Sequence, residues 1–310
     1  MEIYLPIAGM SINFFLIIGI GGLVGFLSGL FGVGGGFLLT PLMMMIGIPP
    51  AVAAASDSCQ IVAGASSGAF AHWRLGNVDF KMGVIILLGG IAGGTIGVQF
   101  VKVLRAMGNI EFAMKVLYVV MLGLVGGAMF VESLRTIRRS RNPEAAVMVP
   151  SEPKLARMFA WLPLKMHFAR CGLHTSAIFP FSIGTTVGIM AALLGVGGGF
   201  IMVPAMIYII GMPTIVAIGT DLFQIVLTSA NVTLQQAFVN KTVDLLLALT
   251  LLAGSTIGAQ FGALAGKRLK GEQIRILLAI IVLSLAVKLF FDLVLTPSDL
   301  VGLAPVKGGH

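Results

Sequence analysis

Two aspartates stand where carboxylates are costly. Asp57 is the first charged residue after the 54 uncharged residues Ile3–Ser56, and Asp221 is the first after the 46 uncharged residues Thr175–Thr220. Each follows a proline turn (Pro49-Pro50 or Pro213) by seven or eight residues. In a helix that spacing places the carboxylate about 10–12 Å beyond the turn, well inside an apolar layer. An ionisable group at that depth is a candidate functional group, and its simplest chemistry is to take up and release a proton. Ser56, Ser58 and Gln60 surround the first aspartate, and Thr220 and Gln224 the second. Such side chains can hydrogen-bond a carboxylate, or an oxyanion when the carboxylate is protonated. Asp57 and Asp221 are therefore candidate proton carriers, and the five polar neighbours are candidate substrate ligands.

Upstream of each aspartate lies the same six-residue block. Gly32, Val33, Gly34, Gly35, Gly36 and Phe37 recur letter for letter as Gly195, Val196, Gly197, Gly198, Gly199 and Phe200. Four glycines in five residues break a helix, because glycine permits positive φ and close backbone approach. The half-helix that restarts after each block, Phe37–Gly47 or Phe200–Gly211, offers first-turn N–H groups and the positive end of a helix dipole, which suit an anion. Successive N–H groups in such a loop can also form an anion-binding nest. The ten residues Gly32–Gly36 and Gly195–Gly199 are thus candidate substrate contacts. The block is not a phosphate loop, since no Gly-Lys-Ser/Thr follows, and no strand can precede it to make a dinucleotide fingerprint.

The remaining polar residues read as structure. Trp73, between His72 and Arg74, suits a membrane interface, and Arg74 could draw anions toward an entrance. Asn77-Val78-Asp79 and Thr242-Val243-Asp244 look like helix starts, with Asn or Thr available to cap. Gln99 and Gln260 suit contacts between helices, and Asn231 and Gln235 could face a cavity. Cys59 and Cys171 form no metal-spaced set and the four histidines are scattered, so neither a metal nor a cofactor is implied.

Composition states what must position these groups. Hydrophobic residues make up 57% of the 310 and charged residues only 10%, with a mean hydropathy of +1.03. A soluble domain carries about 25% charged residues to wet its surface. The chain is therefore expected in a lipid bilayer, its chief partner besides a small anion. A soluble enzyme or a nucleic-acid module is excluded, and the net charge of +8 bears on topology. Open sheets cannot span lipid, and a barrel would alternate polar and apolar residues. The runs here are apolar all round, so an all-α polytopic bundle is expected. The first apolar stretch, from Ile3, reads as a retained membrane helix rather than a cleaved leader.

The repeat extends beyond the glycine blocks. Pro41 pairs with Pro204, Gly47 with Gly211, Asp57 with Asp221, Gln60-Ile61-Val62 with Gln224-Ile225-Val226, and Val78-Asp79 with Val243-Asp244. The separation drifts from 163 to 165. Thr95-Ile96-Gly97 then matches Thr256-Ile257-Gly258 at 161, which predicts a missing helical turn in the second half before Thr256. Four segments follow: a first transmembrane repeat over 1–131, a basic linker with an interfacial segment over 132–172, a second repeat over 173–296, and a tail over 297–310.

A run of 54 residues is about 80 Å as helix, too long for one crossing of a core about 30 Å thick. If each long run folds as a hairpin about its glycines, each half holds that hairpin plus three further helices and the halves are inverted. Arg74, Lys81, the linker cations (Arg135, Arg138, Arg139, Arg141, Lys154, Arg157, Lys165, Arg170) and Lys267, Arg268, Lys270 and Arg275 then share one side. Lys102, Arg105, Lys115, Lys241 and Lys307 lie opposite. A parallel arrangement gives a weaker bias, so inverted repeats with a cytoplasmic linker and both termini outside are expected.

The duplicated glycine blocks, each followed by a proline, a Gly-x-Pro turn, an aspartate-centred polar cluster and a Val-Asp helix start, resemble the TauE/SafE-type sulfite exporter family of membrane permeases. The resemblance runs from about Phe14 to Leu295. It implies export or exchange of small sulfur-containing anions such as sulfite, thiosulfate or sulfoacetate. It carries the family's glycine blocks onto Gly32–Gly36 and Gly195–Gly199, and its polar clusters onto Ser56–Gln60 and Thr220–Gln224. The expected function is a secondary transporter in the cell membrane, proton-coupled through alternating access, with the anion held at midplane between the two breaks. A passive anion channel and a permease for a non-sulfur organic anion are the competing readings. An embedded enzyme lacks a catalytic constellation in the sequence.

Overall fold

The computed structural model describes residues 2–31, 36–140, 165–168, 170–266 and 271–294. The expectations for Gly32, Val33, Gly34 and Gly35, for most of the linker and for the tail fall outside those residues.

The chain is an all-α polytopic membrane protein with two small β-hairpins. Strands β1 (Glu2–Leu5) and β2 (Met10–Asn13) precede α1 (Phe14–Phe31). After the first glycine block come α2 (Gly36–Met45), α3 (Pro50–Arg74), α4 (Phe80–Ala106) and α5 (Ile110–Ser140). The second half repeats the order: β3 (Lys165–Phe168), β4 (Leu173–Ser176), α6 (Ile178–Leu194), α7 (Gly199–Pro204, continuing as a π-helical turn Ala205–Ile210), α8 (Thr214–Gln235, with a π-helical turn Gln236–Asn240), α9 (Leu245–Gly266) and α10 (Gly271–Val294). Among the described residues five helices are long and apolar enough to cross a membrane: α4, α5, α8, α9 and α10. The ten residues of α2 extend about 15 Å, half a bilayer core.

The first hairpin corrects an expectation: the stretch from Ile3 is not helical until Phe14. At the end of the linker, Lys165–Phe168 pair with Leu173–Ser176, and the rest of the segment expected to lie on the surface falls outside the described residues. Gly9 and Gly172, at φ +68° and +63°, make the turns. Leu5 and Phe168 are fully buried beneath the two hairpins. Each hairpin ends by capping the next helix: Phe15 N–H donates to Asn13 Oδ1 at 3.0 Å, and Ile178 N–H to Ser176 Oγ at 3.3 Å. The segment assigned to a linker from residue 132 begins as helix, because no breaker interrupts α5 before Ser140.

The halves interlock by exchanging helices. Helix α1 packs along α9, and α4 along α6, each pair parallel and in close backbone contact. A Cβ on Gly258 would lie 2.0 Å from the Gly22 carbonyl oxygen, and one on Gly93 2.0 Å from that of Thr185. Gly254 meets Ile18 as Gly89 meets Phe181, and Gly262 meets Phe26 as Gly97 meets Ile189. Without a hydrophobic drive between helices in lipid, such small-residue seams supply the packing. They also overturn the missing turn before Thr256. The paired glycines of α4 and α9 keep the separation of 165 through Gly97 and Gly262, so the Thr-Ile-Gly letters have moved by one turn within an unbroken helix.

At the centre, α3 and α8 run antiparallel. Ser56, near the start of α3, accepts from Asp244 N–H beyond the end of α8, at 3.0 Å. Thr220, near the start of α8, accepts from Asp79 N–H beyond the end of α3, also at 3.0 Å. Asp79 and Asp244 are themselves the caps of α4 and α9, accepting from Met82 N–H and Leu247 N–H. The capping role expected of Asn77 and Thr242 thus falls to the aspartate of each motif.

Candidate functional site

The second glycine break is built as its composition requires. Helix α6 ends at Leu194, followed by Gly195, Gly197 and Gly198 at φ +70°, +70° and +91°. L-residues with side chains rarely adopt these angles. Gly195 also lies so close to α3 that a Cβ would fall 2.3 Å from the Ala54 carbonyl oxygen. Helix α7 then restarts at Gly199, with the Ile201 and Met202 N–H groups donating to the Gly198 carbonyl at 3.0 and 2.8 Å. Pro204 withholds the N–H that the next turn needs, and the helix widens there into its π-helical continuation.

Gly36, the last residue of the first block, sits against this break. A Cβ there would lie 3.2 Å from the Val196 carbonyl oxygen, 3.2 Å from Asp57 Oδ2 and 2.6 Å from Ile61 Cδ1. The next residues, Phe37 and Phe200, stack on each other with ring centroids 4.1 Å apart and planes inclined by 8°. Equivalent residues of the two halves thus meet face to face where the described parts of the blocks converge.

A cavity of 710 Å³ opens beside this junction, between α1, α3, α8 and α9. Gly36, Val196 and Gly199 line it, as do the polar side chains of Ser28, Gln60, Ser67, Asp221, Ser255, Thr256 and Gln260. Gln60 Nε2 donates to Ser255 Oγ at 2.7 Å, and Gln224 Nε2 to Asp221 Oδ1 at 2.8 Å. Among the described residues no cation pairs with the Asp221 carboxylate, which accepts from the Gln224 amide.

The other predicted residues that the structure describes fall outside the cavity wall. Asp57 is fully buried behind Gly36, with Oδ2 accepting from Thr40 Oγ1 at 2.8 Å and Oδ1 without a hydrogen-bond partner. The hydroxyls of Ser56 and Thr220 serve the helix starts described above, and Ser58 donates to the Ala54 carbonyl. Gly195, Gly197 and Gly198 shape the break behind Val196. Asn231 and Gln235 tie α8 to α4 through Thr95, with Gln235 Nε2 donating to Thr95 Oγ1 at 2.8 Å and to Asn231 Oδ1 at 3.1 Å. Sequence reading missed Thr40, Tyr118, Ser28, Ser67, Ser255 and Thr256. Ser and Thr are common in membrane helices, and only the fold tells which of them face a cavity. Outside the spans, Cys171 donates to Asp79 Oδ2 at 3.3 Å, and burial together with that carboxylate pushes its thiol from the ordinary 9.0 up to about 12.

Apolar helices of membrane length, two interrupted helices meeting end to end and a partly polar cavity at their junction define a polytopic membrane transporter. Residues 17–289 match the family described as "Sulfite exporter TauE/SafE", and the chain belongs to that family. Among its relatives is the "Probable membrane transporter protein YjnA" of Bacillus subtilis (strain 168). It is 28% identical over 283 residues, covering 90% of this chain and all of that protein. A "Probable membrane transporter protein" of Xylella fastidiosa (strain 9a5c) is 28% identical over 83% of this chain and 86% of its own length. The "Sulfite exporter TauE/SafE family protein 1" of Arabidopsis thaliana is 38% identical over 80 residues, 26% of this chain and 18% of that protein. No solved structure matches the chain.

Proposed function

We propose that the protein is a secondary transporter, in the cell membrane, of small sulfur-containing anions such as sulfite, thiosulfate or sulfoacetate. The anion is held beside the two glycine breaks, and transport is coupled to protons by alternating access. The observation that carries this reading is the cavity itself: it adjoins both breaks and holds a carboxylate, Asp221, on its wall. An anion and an ionised Asp221 repel each other in a site of low dielectric, so the two share the cavity comfortably only when Asp221 is neutral. Binding the anion therefore favours binding a proton. Gln60 keeps a second Nε2–H for an oxyanion oxygen, while the Ser255 and Thr256 hydroxyls donate to the Leu252 carbonyl and reach an anion only by turning from it.

Inverted repeats supply the alternation. The antiparallel run of α3 and α8, which are equivalent helices, and the exchanged seams α1–α9 and α4–α6 support an axis lying in the membrane plane. That axis relates the open cavity beside α9 to a region beside α4 that is packed shut. There a Cβ on Gly90 would lie 2.8 Å from Thr228 Oγ1, and one on Gly94 2.9 Å from Val232 Cγ2. One vestibule open and its counterpart closed is what an alternating-access carrier holds at any instant, and what a channel does not. In this reading the linker is cytoplasmic, both termini lie outside, and the open cavity faces the linker side.

Uptake into proteoliposomes tests the proposal. Sulfite, thiosulfate, sulfoacetate and small carboxylates are offered with and without a pH gradient. The expected result is saturable uptake of a sulfur oxyanion that rises with the gradient. Ohmic anion currents indifferent to pH would show a channel, and uptake of carboxylates alone would replace the sulfur substrate.

A further inference from the structure

The two aspartates are not in equivalent surroundings. Asp221 lines the cavity, whereas Asp57 is sealed, 0% exposed, with one oxygen bound by Thr40 and the other unpartnered. Among the described residues no cation offsets it: Thr40 reaches it from α2, Tyr118 from α5 and the backbone around Gly36 from the first break, and Tyr118 is the one other titratable group among them facing it. An isolated buried carboxylate charge is among the costliest groups a protein can hold, so the group here must carry something positive. A single free oxygen suits a proton; a metal ion would need several oxygens, and Thr40 Oγ1 is already engaged with the carboxylate.

Tyr118 connects this pocket to the second glycine break. Its hydroxyl, 0% exposed, donates to the Leu194 carbonyl, the last carbonyl of α6 before Gly195, and also stands close to Thr40 and Asp57. The pocket belongs to the first half alone, since Val203 stands where Thr40 does, one residue before the paired prolines. Gly36 is the wall between pocket and cavity: its backbone lines the cavity, and a side chain on it would touch Asp57 Oδ2. The missing side chain leaves the carboxyl within reach of a proton arriving through the cavity.

We propose that Asp57, Thr40 and Tyr118 form a proton site separate from the anion cavity, and that the Tyr118–Leu194 hydrogen bond reports its occupancy to the second break. With Asp57 protonated, Tyr118 holds the end of α6. When the proton leaves Asp57 Oδ1, the carboxylate gains a charge and an unfilled acceptor. The Tyr118 O–H, which also faces the carboxylate, turns to it from the Leu194 carbonyl. The last carbonyl of α6 is released, and the Gly195–Gly198 break is free to change shape around the anion. Thr40 and Tyr118 are positioning residues here; Asp57 alone exchanges the proton.

This inference rests on the transport reading above, and the experiment separates the two. Wild-type protein and the Tyr118→Phe, Thr40→Val and Thr40→Ser variants are reconstituted in liposomes containing a pH-sensitive dye. Anion-for-anion exchange and protons moved per anion are then measured side by side. The expected result is that Tyr118→Phe and Thr40→Val keep exchange within about twofold but move about half as many protons per anion, because the proton taken up at Asp221 still travels with the anion. Thr40→Ser, which keeps the hydroxyl, restores the full proton movement. Unchanged protons per anion in Tyr118→Phe and Thr40→Val, or exchange and proton movement falling in parallel in folded protein, would overturn the proton site. Wild-type exchange without proton movement would overturn it too, and would leave the transporter reading standing. A wild type that exchanges none of the sulfur anions would instead sink the substrate reading.

Discussion

Asp221→Asn keeps the Gln224 contact and the shape of the cavity wall but removes the titrating group. Gradient-driven uptake is therefore expected to vanish while expression stays at the wild-type level, and full transport by the variant would reject a coupling role. Gly195→Ala adds a methyl at φ +70°, within 2.3 Å of the Ala54 carbonyl oxygen. Strain of about 1–2 kcal/mol from the dihedral alone, before the clash, should lower the melting temperature in detergent. Cys171 should resist maleimide at pH 8, because it is buried and its thiol is raised to about 12. A raised thiol stabilises the docked hairpin below the ordinary value of 9.0, and that contribution is lost as pH climbs from about 9 to about 12. Alkylation should accelerate over that window, and in Asp79→Ala the acceleration should begin at lower pH. Both deep aspartates were legible in the sequence, because charge inside apolar runs is conspicuous. Their different roles were not: the sealed state of Asp57 comes from Thr40 and Tyr118, residues whose types say nothing until α2 and α5 are packed.

Among the elements, the paired seams make the sharpest prediction. Gly258→Ala and Gly93→Ala each force a Cβ to within 2.0 Å of a facing backbone oxygen, so the α1–α9 or α4–α6 pair must separate, at a cost of about 1–3 kcal/mol or more. Gly127→Ala, with no atom within 4 Å of the added carbon, should be neutral or should stabilise α5 by about 0.5–1 kcal/mol. Thermal unfolding in detergent ranks the three, and equal melting temperatures would contradict the seams. The helical bundle, the broken helices and the proline turns were readable from uncharged runs, glycine clusters and Gly-x-Pro. The hairpins were not, because four-residue strands are shorter than any window used to find membrane helices. A signal was nonetheless present: Gly9 and Gly172 share the separation of 163 that relates the glycine blocks. The register of α4 and α9 misled for another reason. Letter identity favoured a shift of one helical turn, while packing obeys the glycine spacing of four, which such a shift leaves intact.

For the molecule as a whole, duplication, the exchange of helices between halves and the single open vestibule make one account. The described parts of two equivalent breaks converge, and in the proposed cycle the cavity beside them opens by turns to either face. A reporter fused after Gly309 should be silent in the cytoplasm, and a cytoplasmic signal would contradict the inverted arrangement. Sequence charge alone could favour inversion; the antiparallel course of α3 and α8 gives it a geometric footing that no run of letters contains. The most direct measurement is saturable uptake of labelled sulfite or thiosulfate by proteoliposomes of the wild type and of Gly199→Val, which adds a bulky side chain to a residue lining the cavity. The account predicts uptake by the wild type that a pH gradient increases, and loss of that uptake in folded Gly199→Val. Equal uptake by the two, or none of either anion by the wild type, would contradict it.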